Sequence, residues 1–281
     1  MNKHPWTAEQ IQAYARHLRR EEKSPATIEK YLRTAGAFVC WLDGEELTRE
    51  RTAAWKTHLV EQGYAPASVN AMLSALNSFL DFLGFGDCRV KFLKLQRRMF
   101  RDDSRDLNRR DYDALTAAAK SEGKARLALL METLCSTGIR VSEVRYITVE
   151  AAKAGRAEIS LKGKIRTILI PTKLCRKLLK YAKAQKTASG EIFLTRNGTP
   201  VNRRQIWAEM KALCKAAGVA PTKVFPHNFR HLFATAFYQA YKDIVKLADV
   251  LGHSSIETTR IYLLTTGIEH QRRMDRLGLV S

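Results

Sequence analysis

Residues 251–262 read Leu-Gly-His-Ser-Ser-Ile-Glu-Thr-Thr-Arg-Ile-Tyr. The helix-breaking glycine, the histidine after it and the tyrosine further on set how the rest of the chain is read. Gly252 is placed to cap the helix before it, because glycine enters the left-handed region at no steric cost. Ser254 or Ser255 then opens the next helix, and Tyr262 lies two to three turns on. A lone tyrosine at such a place is more often a core residue with a satisfied hydroxyl. His253 and Tyr262 gain another meaning only from what stands upstream.

Two further clusters precede them. His227-Asn228-Phe229-Arg230-His231 places His227 and Arg230 on one helical face. His227 and His231 are spaced like a metal pair, but the glutamate of an HExxH motif is absent, so no metal is expected. Earlier, an apolar helix over 125–135 runs into Ser136-Thr137-Gly138-Ile139-Arg140. Arg140 sits where a helix begins again, with Val141, Val144 and Ile147 facing inward. It is placed either to hold an anion or to pair with Glu143. Two arginines, histidines, a lysine and a tyrosine are what metal-free phosphoryl transfer requires. Guanidinium groups grip phosphate and stabilise the transition-state charge. A tyrosine can be a covalent nucleophile, a histidine can accept its proton, and a lysine can protonate the leaving oxygen.

The charge balance points to the same class of substrate. The 281 residues carry 48 Lys and Arg against 28 Asp and Glu, a net of +20. A surplus of that size favours a polyanion. Residues 1–100 hold 15 basic and 11 acidic side chains, so most of the excess belongs to the C-terminal part. Cys40, Cys88, Cys135, Cys175 and Cys214 form no CxxC pair, which argues against a zinc ribbon or a disulfide framework. The start MNKHPWTAEQ lacks the apolar core of a signal peptide, and no run reaches the roughly 18 apolar residues of a membrane span. A soluble cytoplasmic, nucleoid-associated protein is expected, with no membrane partner.

The chain is mainly α. Residues 1–90 show four apolar-striped helices with short loops. Thr7 is the expected cap of the first, Ser24-Pro25 the start of the second, ended by Asp43-Gly44. The third runs from about Thr48 to Gln62, and the fourth follows Pro66 with Ser68 as its cap. Residues 91–107 are basic and aperiodic and read as a linker. Residues 108–281 form a second, mixed but largely helical domain. Within it, Glu158–Leu161 and Arg166–Ile170 flank Lys162-Gly163-Lys164, the signal of a small antiparallel hairpin. A helix follows Pro171, and another opens at Asn202-Arg203-Arg204-Gln205.

These motifs together resemble the tyrosine recombinase (phage integrase) family, most of all its compact Xer-type and transposon-integrase members. The segments that carry the resemblance are Thr137–Glu143, His227–His231 and Leu251–Tyr262. The family signature is Arg, Lys, His-x-x-Arg, His or Trp, Tyr. It falls here on Arg140, a hairpin lysine, His227, Arg230, His253 and Tyr262. The lysine is Lys162 by its place entering a Lys-Gly turn, with Lys164 the alternative, because the turn is shorter than the usual family version. His231 resembles a common supporting residue.

The resemblance implies a helical core-binding domain (1–90) and a catalytic domain (108–281) that grip duplex DNA, with Lys30, Arg33, Lys164, Arg203 and Arg204 as candidate contacts. It implies a 3′-phosphotyrosyl intermediate, no cofactor or metal, and a homotetramer on two duplexes that passes through a Holliday junction, the free protein being monomer or dimer. The role would be integration and excision of a mobile element or resolution of DNA multimers. Type IB topoisomerase-like relaxation and a non-catalytic DNA-binding role are the competing readings.

Overall fold

Helix starts in this chain are written by its caps. Ser24 accepts a hydrogen bond from the backbone N–H of Thr27, Pro25 follows in the first turn, and the helix runs to Leu42, where Asp43 turns left-handed. The computed structural model describes residues 8–95, 103–161, 164–263, 271 and 274–277. It divides after residue 97 into two units.

The first unit is built from α1 (Ala8–Arg20), α2 (Pro25–Leu42), α3 (Arg49–Glu61) and α4 (Pro66–Phe82). Thr48 caps α3 through its side chain. Ser68, the expected cap of α4, instead lies inside its first turn. The helix opens at Pro66, whose fixed φ prepares the first helical position, and Ala65 precedes it without a side-chain cap. Thr7 lies outside the described residues. The apolar stripes meet in a core of Phe38, Leu42, Trp55, Leu59, Val69, Leu73, Leu76 and Leu80, each large side chain contributing about 1.5–3 kcal/mol by leaving water. Beyond α4 the chain does not leave at once. Asn77 brackets Val90, and Asn70 brackets Leu93, each side-chain amide meeting both backbone groups of its partner at 2.8–3.0 Å. Residues 90–93, the start of the aperiodic stretch, are thereby tied along α4.

The second unit opens at α5 (Arg109–Ser121), where Asn108 and Asp111 form a reciprocal capping box. It continues through α6 (Ala125–Thr137), a 3₁₀ turn (Val141–Tyr146), α7 (Val149–Ala154), the strands β1 (Arg156–Leu161) and β2 (Lys164–Leu169), α8 (Thr172–Ala184), α9 (Arg203–Ala212), α10 (Cys214–Ala217), α11 (Pro226–Tyr241), α12 (Ile244–Leu251) and α13 (Ile256–Arg260). The two strands pair antiparallel from Arg156↔Leu169 to Leu161↔Lys164, a longer ladder than the β-prone runs alone outline. Ile168 and Ile170 are buried while Leu169 is exposed, so one face of the hairpin joins the core. That core gathers Leu115, Leu130, Leu134, Ile147, Leu178 and Phe229, among others.

Two glycines terminate the helices that matter most. Gly138 ends α6 at φ 64° and Gly252 ends α12 at φ 65°. A Cβ at Gly138 would drive into the ring of Phe233 and reach 3.0 Å from Leu251 Cδ2. Gly138→Ala is therefore expected to lose about 2–4 kcal/mol of stability, from left-handed strain and overpacking together. Urea unfolding of the two proteins measures the difference.

Candidate active site

Arg230 is the centre of the site. It projects from the early part of α11, where Pro226 occupies the first turn, and is only 2% exposed. A guanidinium has donors and no acceptor, so it must be met by acceptors when buried. Two helix C-termini meet it. Nη1 donates to the Gly138 carbonyl at the end of α6 (2.5 Å), and Nη2 to the Leu251 carbonyl at the end of α12 (2.8 Å). Terminal carbonyls lack helical partners and carry the negative end of the helix dipole, so they suit a cation.

His253 follows directly from this arrangement. The left-handed turn at Gly252 brings its Nε2 to 2.8 Å from Arg230 Nη2, and its Nδ1 to 2.8 Å from the buried hydroxyl of Thr259. Since arginine can only donate, Nε2 accepts, and the proton resides on Nδ1 and points to Thr259 Oγ1. Burial and then the Arg230, Arg140 and Arg166 charges push the His253 pKa down to about 4. The ring is neutral at pH 7. His227, at the start of α11, is held below the ordinary histidine value by desolvation and by Arg230 and Arg140, so it too is neutral there.

Arg140 stands before the 3₁₀ turn and makes the ion pair with Glu143 that its position allows. Its backbone N–H and Nη1 both donate to Glu143, at 2.7 and 3.0 Å. Glu143 is 2% exposed, whereas the Arg140 side chain is 44% exposed, so the guanidinium is paired on one side and open on the other. Arg166 from β2 also pairs with Glu143 and donates to the Leu251 carbonyl. Two guanidinium groups thus share one buried carboxylate.

Tyr262 lies in a 3₁₀ turn just after α13, which Ser255 caps. It is buried to 3% among Ala234, Leu247 and Leu251. Its ring stacks on His253 at 6.0 Å and meets His231 edge-on at 4.9 Å. Burial and the Arg140 charge lower the Arg230 pKa, and a hydrogen bond with the Tyr262 hydroxyl works against that shift. The phenol oxygen thereby lies within electrostatic reach of the guanidinium that binds His253.

The C-terminal region, residues 105–266, matches the phage integrase family, and residues 11–84 match the N-terminal SAM-like domain of phage integrases. The chain is a tyrosine recombinase of the phage integrase family. Among its relatives is a tyrosine recombinase XerD from Brucella suis, 33% identical over 84% of this chain and 85% of that one. Another is XerA from Thermococcus kodakarensis, 29% identical over 94% of this chain and 93% of its own length. The fold matches a lambda integrase dimer bound to a COC′ core site (18% identity, TM-score 0.71, 91% and 94% of the two chains). It also matches the Tn1549 transposon integrase in complex with transposon right-end DNA (16% identity, TM-score 0.71, 96% and 99%). Members of this family are enzymes that cleave and rejoin DNA.

In this recombinase one corner of the second unit therefore brings together Arg140, Arg230, His253 and Tyr262, with His227 within their electrostatic reach. Lys162 lies outside the described residues, and so does the side chain of Lys164. Lys30 and Arg33 are exposed on α2, and Arg203 and Arg204 on the first turn of α9, which Asn202 and Gln205 cap reciprocally. His231 bonds to Thr235 Oγ1 at 3.3 Å. Among the described residues, no three His, Cys, Asp or Glu side chains gather as a metal site. No described helix is long and apolar enough to cross a membrane.

Sequence reasoning passed over Arg166, Thr259 and the two carbonyl acceptors. Arg166 left one usable trace: it is in phase with Ile168 and Ile170 on the buried face of β2. Backbone carbonyls carry no side-chain signature, so nothing in the sequence marked Gly138 and Leu251 as ligands of a guanidinium.

Proposed function

We propose that Tyr262 is the nucleophile of a site-specific strand exchange, and that Arg140 and Arg230 bind the scissile phosphate. The observation that carries this reading is the surplus of guanidinium over carboxylate around Glu143, next to a tyrosine and two neutral histidines. Such a corner favours an anion. In the cleavage step the Tyr262 oxygen forms a bond to phosphorus and its proton passes to His227. The P–O5′ bond breaks, and the hairpin lysine, Lys162 or Lys164, supplies the proton that the departing 5′ oxygen takes up. The phosphotyrosyl bond keeps the energy of the broken ester, so a 5′-hydroxyl from a partner duplex can reverse the chemistry with new connectivity.

His253 joins the phosphate by a tautomer change. With a phosphate oxygen in place of Arg230 as its neighbour, Nε2 must donate, and the Thr259 hydroxyl can donate to Nδ1 instead of accepting from it. The assembly we propose is a homotetramer on two duplexes, serving integration and excision of a mobile element or resolution of DNA multimers.

The test is trapping. A duplex nicked beside the cleavage site loses the short fragment that carries the freed 5′-hydroxyl after attack, which should leave a covalent protein–DNA adduct whose modified residue maps to Tyr262 by peptide mass spectrometry. An adduct at another residue, or none, rejects the assignment. Binding should also be steeply salt-dependent through Lys30, Arg33, Arg203 and Arg204. With 6–10 phosphate contacts, affinity falls by about 10³–10⁵ between 50 and 200 mM salt. A flat response in a fluorescence-anisotropy titration would reject a broad phosphate-contacting surface.

A further inference from the structure

Arg166 is a charged side chain for which the chemistry above has no task. It leaves β2 on the same face as the buried Ile168 and Ile170 and is 16% exposed. Its two terminal nitrogens divide between two elements of the site. Nη2 pairs with Glu143, the carboxylate that also holds Arg140, and Nη1 donates to the Leu251 carbonyl, which also receives Arg230. Its Nε is buried with no hydrogen-bond partner. A Cβ on Gly252 would collide with this side chain, so the residue before His253 leaves the space that the guanidinium fills.

Burying an arginine with one donor unmet is costly, and an aliphatic side chain in phase with Ile168 and Ile170 would fill that face without the cost. The arrangement therefore asks what the guanidinium contributes. Arg140 has its own bonds to Glu143, and Arg230 has its own bond to Gly138, so neither depends on Arg166 alone. β1 is tied to the 3₁₀ turn by the Tyr146 hydroxyl, which donates to the Ser160 carbonyl at 2.9 Å. What Arg166 adds is a link from β2 to both halves of the phosphate corner. β2 begins at Lys164, two residues before Arg166.

We infer that Arg166 is a positioning residue: it anchors β2, whose first residue is Lys164, to the Arg140 turn and to the helix end that precedes His253. Leaving-group protonation is thereby held in register with phosphate binding. This rests on the proposed roles of Tyr262 and the hairpin lysine.

The experiment uses the full chain, with Arg166→Met and Arg166→Lys, in single-turnover cleavage at saturating DNA. Two nicked substrates are compared, one natural and one with sulfur replacing the bridging 5′ oxygen of the scissile phosphate. A thiolate leaves without a proton, so the sulfur substrate does not need the lysine. Because a positioned general acid contributes about 10²–10⁴-fold, Arg166→Met should slow the natural substrate by about 10- to 100-fold and the sulfur substrate by no more than about threefold. Arg166→Lys keeps the charge but cannot bridge both partners, and should show the same selective loss to a smaller degree. If Arg166→Met does not fold, the ratio for Arg166→Lys decides. Equal slowing of both substrates, or slowing of neither, overturns the positioning role. A wild-type protein that forms no adduct on either substrate overturns instead the nucleophile assignment on which it rests.

Discussion

Tyr262→Phe is expected to abolish the covalent DNA adduct and to reduce strand exchange by about 10⁴-fold or more, as loss of a catalytic nucleophile does elsewhere. The substitution is a clean one because the ring does two things and the hydroxyl does another. The ring packs among Ala234, Leu247 and Leu251 and against His231 and His253, and phenylalanine preserves all of that. Only the oxygen beside Arg230 is removed. DNA affinity and thermal midpoint should therefore stay close to wild type while adduct formation disappears. An adduct of undiminished yield from the phenylalanine variant would mean that another residue attacks.

Arg230→Lys should also slow cleavage strongly, although it keeps the charge. Arginine meets the Gly138 and Leu251 carbonyls and His253 with three separate N–H groups in a fixed plane. An ammonium on a flexible stem cannot reach all three while also presenting donors to a phosphate. Removing one donor to a developing anionic charge costs on the order of 10²–10³ in rate, and that is the expected loss in single-turnover cleavage. Each carbonyl left buried and unmet costs about 1–3 kcal/mol, so thermal stability should fall as well. A variant that melts lower but cleaves at the wild-type rate would show that Arg230 serves the fold and not the phosphate.

The helical bundle, the hairpin and the ends of the helices were legible from local chemistry. Ser24-Pro25, Thr48, Asn108, Asn202 and Gly252 mark boundaries that the structure keeps, because a cap is satisfied by its own neighbours in sequence. Ser68 shows the limit of that logic: a proline two residues earlier already starts the helix. Residues 90–93 have no periodicity, yet Asn70 and Asn77 from α4 tie them down, a contact across 13–23 residues that no local pattern reveals.

For the site, spacing named Arg140, His227, Arg230, His253 and Tyr262 as a set because their residue types suit one reaction. By itself, then, the sequence determined that this is a mainly helical, strongly basic chain with a recombinase signature, since composition, caps and motif order are all properties of the chain read in line. Only the tertiary structure decided how the signature is held. It brings the ends of α6 and α12 onto one arginine, divides one buried carboxylate between Arg140 and Arg166, and sets the His253 tautomer through Arg230, with Thr259 receiving the proton. Those decisions belong to backbone carbonyls and to a buried charge whose partners lie far away in the chain. Their energies depend on burial and on distance in space, and neither can be read from order along the chain.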